Sequence, residues 1–317
     1  MKSKKLSLFV LFIIVIGSTS LWLYWRFGGF IKLEGTLIGS ISYNHDWENE
    51  AGSIYSLSLG KPLKLEKFLD CEQTEYEELS FPTIREQDFI CAAKRRNAEK
   101  YAVLKVSDGK MTEIMTADKK ISFPVLRNQD TELIYIEGEK NQAYLYKYDV
   151  GTKTSQKIVD EPVDENSRVQ TLPDGSLVFV VIEKPWIYKS LFFVDRGSIE
   201  MIDAAGNRRK LAEGRFPVWY AAGKSMFYYD NQTKRLIFYD IESGARKNIK
   251  DIRIESQLVV SPDKKYIAFD EGVDVDGTIA RQLIVVPVDG RNELSLLYQD
   301  RWMFGGLDGL NWLAPGN

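Results

Sequence analysis

The sequence predicts an all-β chain folded as a six-bladed β-propeller with four-stranded blades, preceded by one N-terminal transmembrane helix. Three observations predict it. A short apolar strand behind a tight polar turn recurs in GSISYN (39–44), DFICAA (88–93), ELIYIE (132–137), SLVFVV (176–181), SMFYYD (225–230) and YIAFDE (266–271). Successive copies stand about 45 residues apart, a propeller-blade period. Each copy runs on through a hairpin into another strand, a tight turn rich in Asp and Gly, and a last strand. Finally, helical periodicity is absent beyond the first 28 residues.

The N-terminus is read first. Lys2, Lys4 and Lys5 precede LSLFVLFIIVIGSTSLWLYW, Leu6 to Trp25, an apolar run long enough to cross the hydrocarbon layer. Trp22, Tyr24 and Trp25 stand where an interfacial aromatic belt belongs, and the positive-inside rule leaves the lysines in the cytoplasm. Residues 1–28 are thus expected to be a cytoplasmic tip and signal-anchor in the inner or cytoplasmic membrane. Residues 29–317 are then one propeller domain outside the cytoplasm. Ser18, Thr19 and Ser20 also suit a cleaved signal peptide, which would leave the same domain periplasmic or secreted.

Inside the domain, the later strands of the units include YAVLKV (101–106), AYLYKYDV (143–150), LIFYDI (236–241) and QLIVVPV (282–288). The turns SDGK, GTKT, AAGN, ESGA and DGRN that follow them or their equivalents suit positive φ and short hairpins. SFPTI (80–84), SFPVL (122–126) and RFPVW (215–219) each place a proline inside a strand. Such prolines belong on the innermost strand of a blade, which borders the channel and has a free edge. GLNWLAPG (309–316) matches FPVWYAAG (216–223) in the placing of Trp, Ala and Gly, so the C-terminal strand is expected to complete the first blade. That closure removes an exposed edge.

SPDKKYIAF (261–269) resembles the repeat signature of TolB-like propellers, and LPDGSLVFV (172–180) is a second copy. The resemblance extends over most of the exported chain at the level of repeat architecture. It implies a bacterial envelope propeller of a kind that serves as scaffold, sensor domain or accessory domain of peptidases.

Function is bounded by composition and motifs. Forty-two basic residues against 45 acidic leave a net charge of −3, without the excess of Lys and Arg expected of a nucleic-acid binder. His45 is the single histidine, and no G-x-S-x-G, H-E-x-x-H or P-loop sequence occurs, so the familiar nucleophile and metalloprotease sets are missing. The connections expected on one face are long and acidic, and binding residues concentrate on such loops. Asp46 and Glu48, Asp160 and Asp164, and Asp270 are candidate binding residues for a basic segment of another envelope protein or peptide. Trp186 and Tyr188 are candidate aromatic anchors. In DVDG (274–277), Asp274 and Asp276 resemble part of a calcium loop, although Gly272 stands where a third ligand belongs.

The expected role is therefore a protein-interaction scaffold using the long-loop face and channel mouth. The alternative is an envelope enzyme of lyase or lactonase type working with carboxylates and a divalent cation. Cys71 and Cys91 lie in the exported part, where either a disulfide between them or two unlinked thiols fits.

Overall fold

The computed structural model describes residues 35–41, 54–59, 64–69, 74–85, 88–108, 110–139, 142–182, 197–254, 257–275, 278–290, 294–297 and 307–314. The expected membrane span, Asp46 and Glu48, Cys71, Trp186 and Tyr188, and Asp276 lie outside these residues.

Alternating and continuous apolar runs of Val, Ile, Phe and Tyr extend into strands, because β-branched and aromatic side chains fit a pleated, half-buried surface. In chain order these are β1 (Thr36–Ile41), β2 (Ile54–Ser58), β3 (Lys64–Leu69) and β4 (Tyr76–Arg85). β5 (Asp88–Arg95), β6 (Tyr101–Ser107) and β7 (Lys110–Ala117) follow, then β8 (Ile121–Arg127), β9 (Glu132–Glu137), β10 (Tyr144–Asp149) and β11 (Thr154–Lys157). The next group is β12 (Gln170–Thr171), β13 (Leu177–Ile182), β14 (Gly197–Ile202) and β15 (Arg208–Glu213). β16 (Arg215–Ala221), β17 (Ser225–Asp230), β18 (Arg235–Asp240) and β19 (Arg246–Asp251) come after it. The chain ends with β20 (Val259–Val260), β21 (Tyr266–Val275), β22 (Thr278–Pro287), β23 (Leu294–Leu297) and β24 (Leu307–Leu313).

Hydrogen bonding sorts them into six four-stranded antiparallel sheets. Five take four consecutive strands each, from β4–β7 to β20–β23, and the remaining one has the order β24-β1-β2-β3. The pairing of β24 with β1 runs from Thr36↔Leu313 to Ile41↔Leu307, so the C-terminal strand does complete the N-terminal sheet. The architecture is an all-β propeller with four-stranded blades.

The core lies between neighbouring sheets. Ile54, Leu79, Cys91 and Leu104 join the first sheet to the second, and Ile90, Phe123, Ile134, Val163 and Phe179 join the second, third and fourth. Val180, Ile199 and Tyr228 join the fourth to the fifth, and Phe227, Leu236, Ile267 and Phe269 the fifth to the sixth. Between sixth and first, the Tyr266 and Trp312 rings stack with centroids 6.4 Å apart. The second strands of the second to fifth sheets are buried along most of their length, and β13, LVFVVI, along all of it, because both faces meet another sheet.

The Phe-Pro phrases lie on β4, β8 and β16, the first strands of their sheets, as expected, but the free edge is only part of the reason. Phe81, Phe123 and Phe216 have φ of 51°, 49° and 53°, and the pairing register shifts at each one. The prolines therefore sit in β-bulges, where no ladder hydrogen bond is asked of them. Each strained Phe costs about 1–3 kcal/mol, and burial offsets it: the three are at most 8% exposed, and the Phe81 and Phe123 rings lie 4.4 Å apart between neighbouring sheets.

The Pro-Asp turns close as their sequence requires. Leu172 N–H donates to Ser176 O and Gly175, at φ 87°, donates to Leu172 O, while Ser261 Oγ accepts from the N–H groups of Lys265 and Tyr266. Of the two readings of Cys71 and Cys91, the unlinked one holds for Cys91. It is a free thiol, buried in β5, and burial pushes its pKa up to about 12. In DEGVDVDGTIAR (270–281), one of the long acidic connections expected as loops, residues 270–275 and 278–281 are instead strand: β21 and β22 pair without a register shift from Tyr266↔Pro287 to Val275↔Thr278.

Candidate functional site

The segment between β11 and β12, Pro162 to Val169, enters the propeller beside the channel on the long-loop face. It is pinned to its own sheet by the bridge Val163↔Val181 and by Asp164 N–H donating to Val180 O at 2.8 Å. From there four residues of DENSR (164–168), Asp164, Asn166, Ser167 and Arg168, reach neighbouring sheets.

Asp164 receives both arms of the Arg215 guanidinium, Nε to Oδ2 at 2.6 Å and Nη2 to Oδ1 at 2.8 Å. Ser167 Oγ and the Asn166 N–H also donate to this carboxylate, at 2.6 and 3.1 Å. Burial alone would raise the Asp164 pKa; the Arg215 charge and these donors outweigh it and hold the carboxyl below its usual value. Ser167 Oγ accepts in turn from the N–H of the strained Phe216, at 3.2 Å. The fourth and fifth sheets are thereby clamped at their inner ends.

Arg168 reaches the other way. Its Nη1 donates to Asn311 Oδ1 on β24 at 3.2 Å and its Nη2 to the Pro82 carbonyl on β4 at 3.4 Å. Asn311 Nδ2 donates to the same carbonyl at 2.7 Å. The bulge at Phe81 presents that oxygen. One guanidinium thus joins the fourth sheet to the first and second across the molecule, and desolvation lowers its pKa to about 10, leaving it charged at neutral pH. Gln257, just before β20, donates Nε2 to Asn166 O at 3.0 Å and adds the sixth sheet.

The geometry is that of a polar knot closing the long-loop end of the channel. Its charges are held by fixed partners, which suits structural crosslinking and orientation of the loops. At the opposite end, the inner strands β4, β8 and β12 open on a cavity of about 450 Å³ lined by Ile84, Val125, Leu126, Arg127 and Leu172 among others. Arg127 there is bonded to Glu132 and donates to Gly175 O at 2.8 Å.

The candidate residues are dispersed. Asp160 is exposed at the start of the knot segment, and Asp164 is inside it, 4% exposed, rather than on a solvated rim. Asp270 is buried in β21 at 2% exposure, and Asp274 lies near the far end of the same strand. Among the described residues no group of three His, Cys, Asp or Glu is placed to hold a metal ion. Arg168, Arg215, Gln257 and Asn311 escaped sequence reasoning. Asn311 left a signal, a polar residue where the matching inner-strand positions carry Val125 and Val218. Arg168 left none.

No protein-family model matches the chain, and no curated protein matches it in sequence. Solved structures do resemble it. TolB from Acinetobacter baumannii matches with a TM-score of 0.66 at 14% identity, over 89% of this chain and 67% of that one. A chain of a nidogen/laminin complex matches with a TM-score of 0.59 at 15% identity, over 86% and 96%. Puromycin hydrolase matches with a TM-score of 0.52 at 13% identity over 78% of this chain, which spans only 42% of the hydrolase. These likenesses establish the fold, a β-propeller similar in structure to that of TolB.

Proposed function

Taking the TolB-like propeller as premise, we propose that the protein is a membrane-anchored, extracytoplasmic interaction scaffold whose six sheets close as one ring of blades. The N-terminal segment holds it at the membrane, and the long-loop face with the channel mouth receives a segment of another envelope protein. The observation that carries this reading is the polar knot. Asp164 with Arg215, Arg168 with Asn311 and Pro82, and Gln257 with Asn166 make that end of the channel a rigid floor on which loops are displayed. A rigid floor under variable loops is a recognition surface. The nidogen/laminin likeness supports the same reading, since that propeller was solved in a complex with another protein.

The test is photo-crosslinking in membranes, with the reactive residue placed at Asp160 or Asn166 on the long-loop face and at Gly206 on the tight-turn face. The scaffold reading expects one discrete adduct from the first pair and none from the third. Adducts confined to Gly206, or the same diffuse pattern from all three positions, would overturn it.

The enzyme alternative, a lyase or lactonase with calcium, keeps Asp274 and Asp276 as its metal ligands. It requires a calcium-dependent rise in melting temperature that Asp274→Asn abolishes.

A further inference from the structure

The channel is tied shut at one end and hollow at the other. The Pro82 carbonyl, which holds Arg168 and Asn311 in the knot, is followed directly by Thr83, and Thr83 already lines the cavity of about 450 Å³ between β4, β8 and β12. Asn128, Pro173 and Gly175 form the outer lip, on the turns that join first and second strands of the third and fourth sheets. The cavity is therefore a pocket entered from the tight-turn face, with the knot behind it.

Its walls are apolar. Ile84, Ile90, Val125, Leu126 and Leu172 supply them, at a volume within the range of about 300–1,000 Å³ that small ligands occupy. Among the described residues that line it, Arg127 is the one charged side chain and no carboxylate is present. The cavity of about 430 Å³ between the fourth and fifth sheets differs, since Lys210 and Arg246 there face Glu213 and Asp230 and the charges balance.

Arg127 has donors to spare. A guanidinium carries five N–H groups; Nε is bonded to Glu132, and Nη1 donates to Gly175 O at 2.8 Å. Nη2 has no hydrogen-bond partner among the described residues, and the side chain is 21% exposed. Glu132 is itself shared, because its other oxygen lies 3.7 Å from Lys147 Nζ. Two cations thus meet one carboxylate, and the cluster keeps one positive charge beside an apolar pocket. A ligand that matches it carries a single negative charge on an apolar body.

We propose that this cavity binds a small carboxylic acid with an apolar tail, its carboxylate on Arg127 at the mouth and its tail between Val125, Leu126 and Leu172. A phosphate monoester would bring about two negative charges to a site with one to offer. The knot prevents a polypeptide from threading the channel, so the ligand is a small molecule held from one side. This site is separate from the long-loop face on which the scaffold reading rests.

The probe is para-fluorophenylbutyrate, followed by fluorine NMR with the full-length protein in lipid nanodiscs and with empty nanodiscs as blank. Saturable broadening above the blank is expected, and the amide of the same acid is expected to bind about tenfold more weakly for want of the charge-assisted contact. Arg127→Gln should bring the acid down to the affinity of the amide while leaving the amide's own affinity unchanged. Thr171→Phe, which fills the pocket from β12, should abolish binding of both. If Arg127→Gln fails to fold, the acid–amide comparison on the native protein and Thr171→Phe decide the question. No saturable binding, an amide that binds as tightly as the acid, or a folded variant of either kind that binds like the native protein would overturn the proposal. The scaffold reading is judged separately, because the adducts expected from Asp160 and Asn166 form on the opposite face whether or not the acid binds.

Discussion

Asp164 and Arg215 show how much a single buried pair decides. Each alone would be an expensive charge to bury; together, with two further donors on the carboxylate, they fix the entry to two blades. Asp164→Ala removes the bidentate carboxylate from Arg215 and is expected to lower unfolding free energy by about 3–5 kcal/mol in urea titrations. The pH dependence follows from the depressed carboxyl. Because Asp164 binds its proton more weakly folded than unfolded, its contribution is complete above the ordinary aspartate range and is lost as pH falls through the folded value. Urea midpoints measured downward from pH 7 are expected to hold until the acid range and then drop, with a shallower drop in Asp164→Asn. None of this could be read from DEPVDENS, where acidic residues look alike. Burial depends on which strand the loop meets, and Arg215 is 51 positions away.

At the level of elements, turns and strands were legible because their causes are local. The Pro-Asp turns, the apolar runs and the Asp-Gly punctuation act within a few residues. Bulges were less so: the proline was visible, but the positive φ of its Phe neighbours arises from packing between sheets. The β15–β16 connection is a single residue, Gly214, with φ of 148°. A Cβ there would stand 2.5 Å from Tyr229 O, so Gly214→Ala is expected to destabilise by about 1–3 kcal/mol and to lower the melting temperature. A variant melting with the native protein would show that the connection yields more than its geometry suggests. β5 carries a second expectation. With Cys71→Ser as background, the Cys91 thiol should resist alkylating reagents at pH 8 until denaturant is added, since both access and thiolate formation are suppressed.

For the whole molecule, stability depends on closing the chain onto itself. β24 supplies Asn311 to the knot, Trp312 to the stack with Tyr266, and the inner strand of the first sheet. Deleting Leu307–Leu313 is expected to unlock all three contacts at once and to replace a cooperative thermal transition with a broad one at lower temperature. Arg168→Met should have a milder form of the same effect, separating the guanidinium's share from that of the strand. The sequence by itself determined the repeat, the four-stranded unit, the strand that completes the first sheet and the TolB-like resemblance, because blade formation is dictated by hydrophobic pattern and turn chemistry between residues close along the chain. Only the tertiary structure decided that Asp164 is buried, that Arg168 joins opposite sides of the channel and that β21 outruns its neighbours. Those outcomes depend on contacts between residues as far apart as 82 and 311, whose meeting is set by how the blades close and by nothing in their local sequence.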